Sequence, residues 1–372
     1  MTAPTLSTAR PALHPSEFRI GDFDHFVQLF SGWDGRFEQL SCGRFEGTLR
    51  VARGQQLHAH LATGNQAIRV RGRERPGVFT IALVLPESAG CVWQGRRLDA
   101  GCLVVRHGDV EVDHRTSKRA VNMSVVLSEE VLLQTAWRLT RTDPKPISWL
   151  AVQPPPDVFG RLDARVKQFL AESAGSRTPD AHEADWIEQA CLTAVAEAVF
   201  PMTDSRRIDI PLRARAGLVR RAEELMCARL QTLTGESDLC AMLGASGRTL
   251  RLAFRERFGL GPMAYFQTLR LHAARAALKN ADPDDVSVAG IARRLGFFHL
   301  GKFAGYYRRL FGELPSVTCL LSRQKLVPIS IVIPNRTTLL SLRRRYERTR
   351  PGESPRKNSY HFLRSQSRDL RC

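Results

Sequence analysis

The chain has 372 residues, with 43% apolar and 25% charged side chains, ordinary proportions for a soluble globular protein with room for two or three cores. Its 55 basic and 37 acidic residues leave a formal charge of +18, which predicts polyanionic partners, nucleic acid first and membrane surface second. No apolar run approaches the ~18 residues of a membrane span, which excludes a helical membrane protein.

The eight cysteines form no Cys-x-x-Cys pair and no zinc spacing, so a reducing cytoplasm is the expected compartment and no structural metal is implied. Residues 1–34 read as an N-terminal extension, and Met1 to Pro15 lacks the basic-then-apolar order of a secretory leader. The positive charge is uneven, concentrating between Arg206 and Arg309 and again over the last fifty residues.

From 35 to 128 the pattern is strand-like. Phe79 to Leu85, Cys102 to Val105 and Val121 to Leu127 are apolar runs, and Asp109 to Asp113 alternates. Breaks such as Pro86 to Gly90 separate them, predicting a β-rich, cupin-like or jelly-roll domain, a fold whose interior is able to hold a ligand. From 129 to 200 the period becomes helical. Val158, Phe159, Leu162, Val166, Phe169 and Leu170 make one stripe, and Trp186, Ile187, Ala190, Cys191, Ala194, Val195 and Ala198 another. These helices either pack on the strands or form the seam of a homodimer. Residues 201–217 read as a linker, and 322–372 as a basic, disordered tail that is either a DNA-clinging arm or the product of a shifted reading frame.

Residues 218–321 carry an internal repeat. Leu239, Leu243 and Gly244 match Ile291, Leu295 and Gly296, and Leu250, Phe254, Phe258, Gly259 and Pro262 match Phe303, Tyr307, Phe311, Gly312 and Pro315. One extra residue in the second turn keeps the copies in register. An apolar pair four residues apart buries a short first helix, and the glycine lets the chain reverse. Ser246 is positioned to cap the next helix, which hides Leu250, Phe254 and Phe258 and turns Arg248, Arg251 and Arg255 outward. Short helix, tight turn and second helix with an apolar back and a basic front describe a helix-turn-helix, whose second helix fits the major groove. The two copies, joined by a helix from Met263 to about Lys279, form an all-α domain in an α+β multidomain chain.

The stretches Ser246-Gly-Arg-Thr-Leu250, Arg255 to Pro262, Gly296-Phe-Phe-His-Leu-Gly-Lys-Phe303 and Tyr307 to Ser316 resemble the AraC/XylS family of bacterial transcription activators. The Phe-His-Leu-Gly-Lys-Phe form is similar to its ethanolamine-operon-regulator branch. The resemblance implies a sensing domain ahead of the DNA-binding one, promoter DNA and RNA polymerase as partners, and a small-molecule effector. Two departures stand out: Cys240 where the family usually has Ala, and Gly290 where many members place Asp, which weakens the start of that helix.

The expected DNA-facing residues are Ser246, Gly247, Arg248, Arg251 and Arg255 in the first unit, and Phe298, His299, Gly301, Lys302 and Arg308 in the second. His58 and His60 share a strand face, a spacing open to a metal in a barrel, but no acidic partner follows at a fitting distance. No nucleophile elbow, phosphate loop or His-Glu-x-x-His helix is present, so an enzyme is not expected. Two other readings stay open: a metalloenzyme fused to a DNA-binding module, and a nonspecific nucleic-acid binder driven by the tail.

Overall fold

The computed structural model describes residues 14–30, 34–74, 76–88, 90–141, 149–172, 179–200, 207–208, 215–280 and 287–321. In chain order the first half contains β1 (His14–Ile20), α1 (Phe23–Leu29), β2 (Asp34–Gln39), β3 (Gly47–Arg53), β4 (Leu57–Gly64), β5 (Ile68–Arg73) and β6 (Val78–Leu83). There follow β7 (Val92–Trp93), β8 (Arg96–Arg97), β9 (Leu103–His107), β10 (Val112–Arg115), β11 (Val121–Ser128) and α2 (Glu129–Thr140). Next come β12 (Trp149–Val152), α3 (Pro156–Glu172), α4 (Ala181–Val199) and β13 (Arg207–Ile208).

The strands form two antiparallel sheets. The larger runs in the order β1-β3-β4-β11-β6-β9-β12-β13, and the smaller in the order β2-β5-β10-β7-β8. The two-residue period of a strand divides each of them between two environments. In the larger sheet Phe79, Ile81, Leu103, Val105, Met123 and Val125 pack against Leu162, Val166, Phe169, Ile187, Cys191 and Val195 of α3 and α4. The alternate residues, Ala82 and Val104 among them, face the smaller sheet and pack against its Trp93 and Val112. At ~1.5–3 kcal/mol for each fully buried large aliphatic or aromatic side chain, the first core holds α3 and α4 on the larger sheet and the second holds the two sheets together.

Both amphipathic helices therefore cover the strands. Trp186, read as part of the α4 stripe, is 57% exposed and lies under the Arg165 guanidinium, 5.4 Å from its ring centre. It stands one position off the buried Ile187, and 100° of rotation carries it out of the core. Glu188, one residue further on, is buried and accepts from the backbone N–H groups of Gln55, Gln56 and Leu57 at 3.0, 2.6 and 2.9 Å. That carboxylate fastens α4 to the β3–β4 turn.

Residues 14–29, assigned from the sequence to an extension, instead supply β1 and α1. Asp22 caps α1 by accepting from the His25 N–H at 2.8 Å, and Phe23, Phe26 and Leu29 are buried. β12 interrupts the stretch read as helical and pairs with β9, while β13 falls in the stretch read as linker. The basic stretch from 322 to 372 lies outside the described residues.

The second half is helical: α5 (Ala216–Ala228), α6 (Glu236–Leu243), α7 (Gly247–Phe258), α8 (Pro262–Asn280), α9 (Val288–Arg294), α10 (Leu300–Phe311) and α11 (Pro315–Leu321). It has two cores. One gathers Leu239, Leu250, Phe254, Phe258, Tyr265 and Phe266, the other Ile291, Phe297, Phe303, Tyr307 and Phe311, and α8 runs from the first into the second.

Candidate nucleic-acid interface

In the first unit Gly244 ends α6 at φ +61°, a left-handed conformation that costs a glycine nothing, and the chain turns into α7. Ser246 caps α7, its Oγ accepting from the Thr249 N–H at 3.2 Å. Gly259 ends the helix at φ +72°. Leu250, Ala253, Phe254 and Phe258 are buried, whereas Arg248, Arg251 and Arg255 are exposed and fall on one stripe at i, i+3 and i+7. Arg251 is held by Glu236 at the start of α6, which fixes its guanidinium beside Gly247.

The second unit repeats this construction. Ile291, Phe303, Tyr307 and Phe311 are buried, and Leu243 and Leu295 lie at the margins of their two cores. Gly296 (φ +77°) makes the reversal and Gly312 (φ +77°) ends α10. His299 occupies the capping position of α10 without a side-chain cap bond, and Gly301, Lys302 and Arg308 are exposed. Phe298, on the turn, is 80% exposed. Ser287 secures the start of α9 by accepting from the Gly290 N–H at 3.0 Å, so the glycine there does not leave that helix uncapped. Tyr306, an exposed ring four residues beyond Lys302, shares its face and escaped the sequence reading, although the i, i+4 spacing marks it.

The residues expected to face DNA thus fall into two patches on the outer faces of the second helices, most of them at the N-terminal ends, with Arg255 and Arg308 in the last turns. No acidic residue stands in the first turn of α7 or α10. The exposed N–H groups and the positive helix ends there suit phosphate oxygens, and the arginines suit phosphate or guanine edges.

The opposite ends of these helices face the smaller sheet. Arg69 of β5, 2% exposed, donates to both Asp113 oxygens at 2.9 and 2.7 Å, and pairs with Glu223 of α5. Its guanidinium lies 4.6 Å from the Phe258 ring centre, and Tyr265 of α8 donates to Glu38 at 2.8 Å and to Glu223 at 2.7 Å. Arg257 of α7 pairs with Asp113 from the other side. Burial alone would raise the Asp113 carboxyl, but Arg69 and Arg257 hold it well below the usual range. Burial pushes Glu38 up against the pull of Arg69. The sequence marks Phe258 as helix core and Asp113 as the end of an alternating strand, but not their convergence on Arg69; Glu223 stands 154 positions from Arg69, beyond any local pattern.

Between the sheets lies a cavity of about 80 Å³ lined by residues of both, among them Phe37, His60, Trp93, Arg106, His114 and Ser124. His114 stacks on Trp93 with ring centres 3.8 Å apart, and its Nε2 is buried without a hydrogen-bond partner among the described residues. Burial lowers His114 to about 3 and His60 to about 4, so both imidazoles are neutral near pH 7. Arg106 pairs with Glu74 at 2.8 Å. Of the two histidines weighed as metal ligands, His60 alone lines this cavity, and no three His, Cys, Asp or Glu side chains converge among the described residues. No helix among them is long and apolar enough to cross a membrane.

Residues 239–319 match a family model described as a helix-turn-helix domain. The probable thc operon regulatory protein of Rhodococcus erythropolis is 36% identical over 173 residues, covering 43% of this chain and 52% of that protein. The XylDLEGF operon transcriptional activator 2 of Pseudomonas putida is 40% identical over 82 residues, covering 22% of this chain and 52% of that protein. The chain thus spans about half the length of these curated relatives. Among solved structures, the AraC-like transcriptional activator CuxR aligns at 17% identity and a TM-score of 0.36, covering 70% of this chain and 96% of that one. A probable AraC family transcriptional regulator from Rhodopseudomonas palustris aligns at 36% identity and a TM-score of 0.27, covering 28% of this chain and 97% of that one.

Proposed function

We propose that the chain is a transcription regulator of the AraC/XylS family and that it activates promoters by placing α7 and α10 in two successive major grooves on one face of the DNA. The observation that carries this reading is the duplicated unit. Twice, a glycine at positive φ delivers a helix whose apolar side is buried and whose opposite side is basic or polar. A single basic helix would be an ordinary solvated face, whereas two matched ones on adjoining cores suit two boxes about one turn (~34 Å) apart.

The cavity is the seat of a small-molecule effector in this proposal. His114 and Ser124 offer polar atoms amid aromatic rings, and β5 and β10 separate the cavity from the helical half. On these strands Val70, Val112 and His114 face the cavity, while Arg69 and Asp113 face α5, α7 and α8. An occupant that shifts these strands acts on the helices directly. Activation, with RNA polymerase as partner, is extended to this chain from the activator named in Pseudomonas putida. The reading has the chain working in the cytoplasm as a binding protein and not as an enzyme; a homodimer is compatible with it.

Selection of duplexes from a random pool by the full chain, at near-physiological salt with competitor DNA, tests the proposal. A motif of two boxes about one helical turn apart is expected. The double variant Arg248→Ala with Lys302→Ala should weaken binding to that motif by at least about 30-fold, as two lost contacts at ~1–3 kcal/mol each require. Its melting temperature should stay unchanged, since both side chains are exposed. Wild-type footprints in the double variant would defeat the assignment.

A further inference from the structure

The strand-rich half holds the two helix-turn-helix units by separate grips. The first is the cluster around Arg69, which reaches α5, α7 and α8 within the first core. The second lies at the far end of α8. There Asp24 of α1 pairs with Arg275 and with Lys279, both at 2.6 Å. Arg275 in turn reaches Glu313 at 2.9 Å and lies 4.6 Å from the Phe311 ring centre. The last turn of α10 is capped from the other half of the molecule. The Gly43 N–H donates to the Arg309 carbonyl at 2.9 Å, and Gln39 Nε2 donates to the Leu310 carbonyl at 2.6 Å. Such carbonyls have no partner within their own helix, so another element must satisfy them. His272, midway along α8, contacts the Gln39 carbonyl at 3.1 Å and lies edge-on to Phe23.

Without these grips the two units would be joined chiefly by α8. That helix has 19 residues, a lever about 28 Å long. A bend of about 5° at one end moves the other by about 2 Å, enough to misplace a side chain against a base edge. Grips on both cores remove that freedom.

We propose that the strand-rich half sets the distance between the two DNA boxes that the chain can read, by holding both helix-turn-helix units at once through Arg69 on one side and Asp24 with Gln39 on the other. These are positioning residues, since none lies on the exposed faces of α7 or α10. The inference rests on the DNA-binding reading above and adds to it the part that fixes operator spacing.

The test uses the full chain and duplexes carrying the selected boxes at their natural spacing or with 2 base pairs inserted or removed. The wild-type chain is expected to lose at least about tenfold in affinity on the altered spacings, and Arg69→Met and Asp24→Asn each to cut that loss to under about threefold. Because Arg69→Met leaves buried carboxylates without their cation, the partly exposed Asp24→Asn serves as the gentler variant. A second measurement needs no DNA. Spin labels carried on noncanonical residues at Leu252 of α7 and Tyr306 of α10 should give a narrow distance distribution in the wild type and a broader one in both variants. Unchanged spacing discrimination with unchanged distributions would overturn the proposal, as would a uniform gain in affinity at every spacing. If the wild-type chain selects no two-box motif, the DNA-binding reading fails, and the label distances still decide whether the two grips hold the units.

Discussion

Phe254 and Arg255 are neighbours in sequence with opposite tasks. Phe254 is fully buried and lies edge-on to Phe258 at 5.3 Å, so Phe254→Ala should cost about 3–5 kcal/mol in urea unfolding. Arg255→Ala should stay within about 0.5 kcal/mol of wild type yet weaken operator binding, and a fall in both quantities would remove Arg255 from the DNA face. Such pairs were legible from sequence because the helical period sorts them locally, and the second copy repeats the sorting at Tyr307, buried, and Arg308, exposed. Arg69 was not legible. A charged residue alternating with Ile68 and Val70 reads as the wet face of a strand, and only the folded chain puts Glu223 and Tyr265 over it.

Among the elements, α4 shows how one residue decides a packing. Glu188 serves three backbone N–H groups of the β3–β4 turn, so Glu188→Ala strands the buried Leu57 N–H and two partly buried ones, at about 1–3 kcal/mol each where water cannot replace the carboxylate. The expected result is a chain several kcal/mol less stable in urea, with faster amide exchange at Gln56 and Leu57; an unchanged exchange rate there would contradict the fastening role. The stripes of α3 and α4 were plain in the sequence, but the surface they cover was not, because an amphipathic face is the same whether a sheet or a second copy of the chain buries it. α1 was overlooked although Asp22 followed by Phe23, Phe26 and Leu29 carries the cap and the spacing of a short helix. Seven residues give too few periods to stand out, and tertiary contacts supply what propensity does not.

The whole molecule stores an acid sensitivity in its imidazoles. Burial lowers His58 and His114 to about 3, and His60 and His272 to about 4, from an ordinary value near 6.5. The unfolded chain takes up these protons first, so the stability they contribute is complete above pH 6.5 and is lost as pH falls from there toward the folded values. Each imidazole adds a slope of about 1.4 kcal/mol per pH unit within that window. The melting temperature should therefore drop steadily between pH 7 and pH 5, and a flat profile would contradict the burial of these rings. The cluster at Arg69 has a different consequence, for the exchange of halves between regulators. A hybrid that joins the helical half of this chain to a foreign strand-rich half would bring Glu223 and Tyr265 to a surface with no guanidinium to receive them. Transplants should succeed only when the donor strand carries its own cation at the place of Arg69, so the two halves of this chain should behave as a matched pair and not as interchangeable modules.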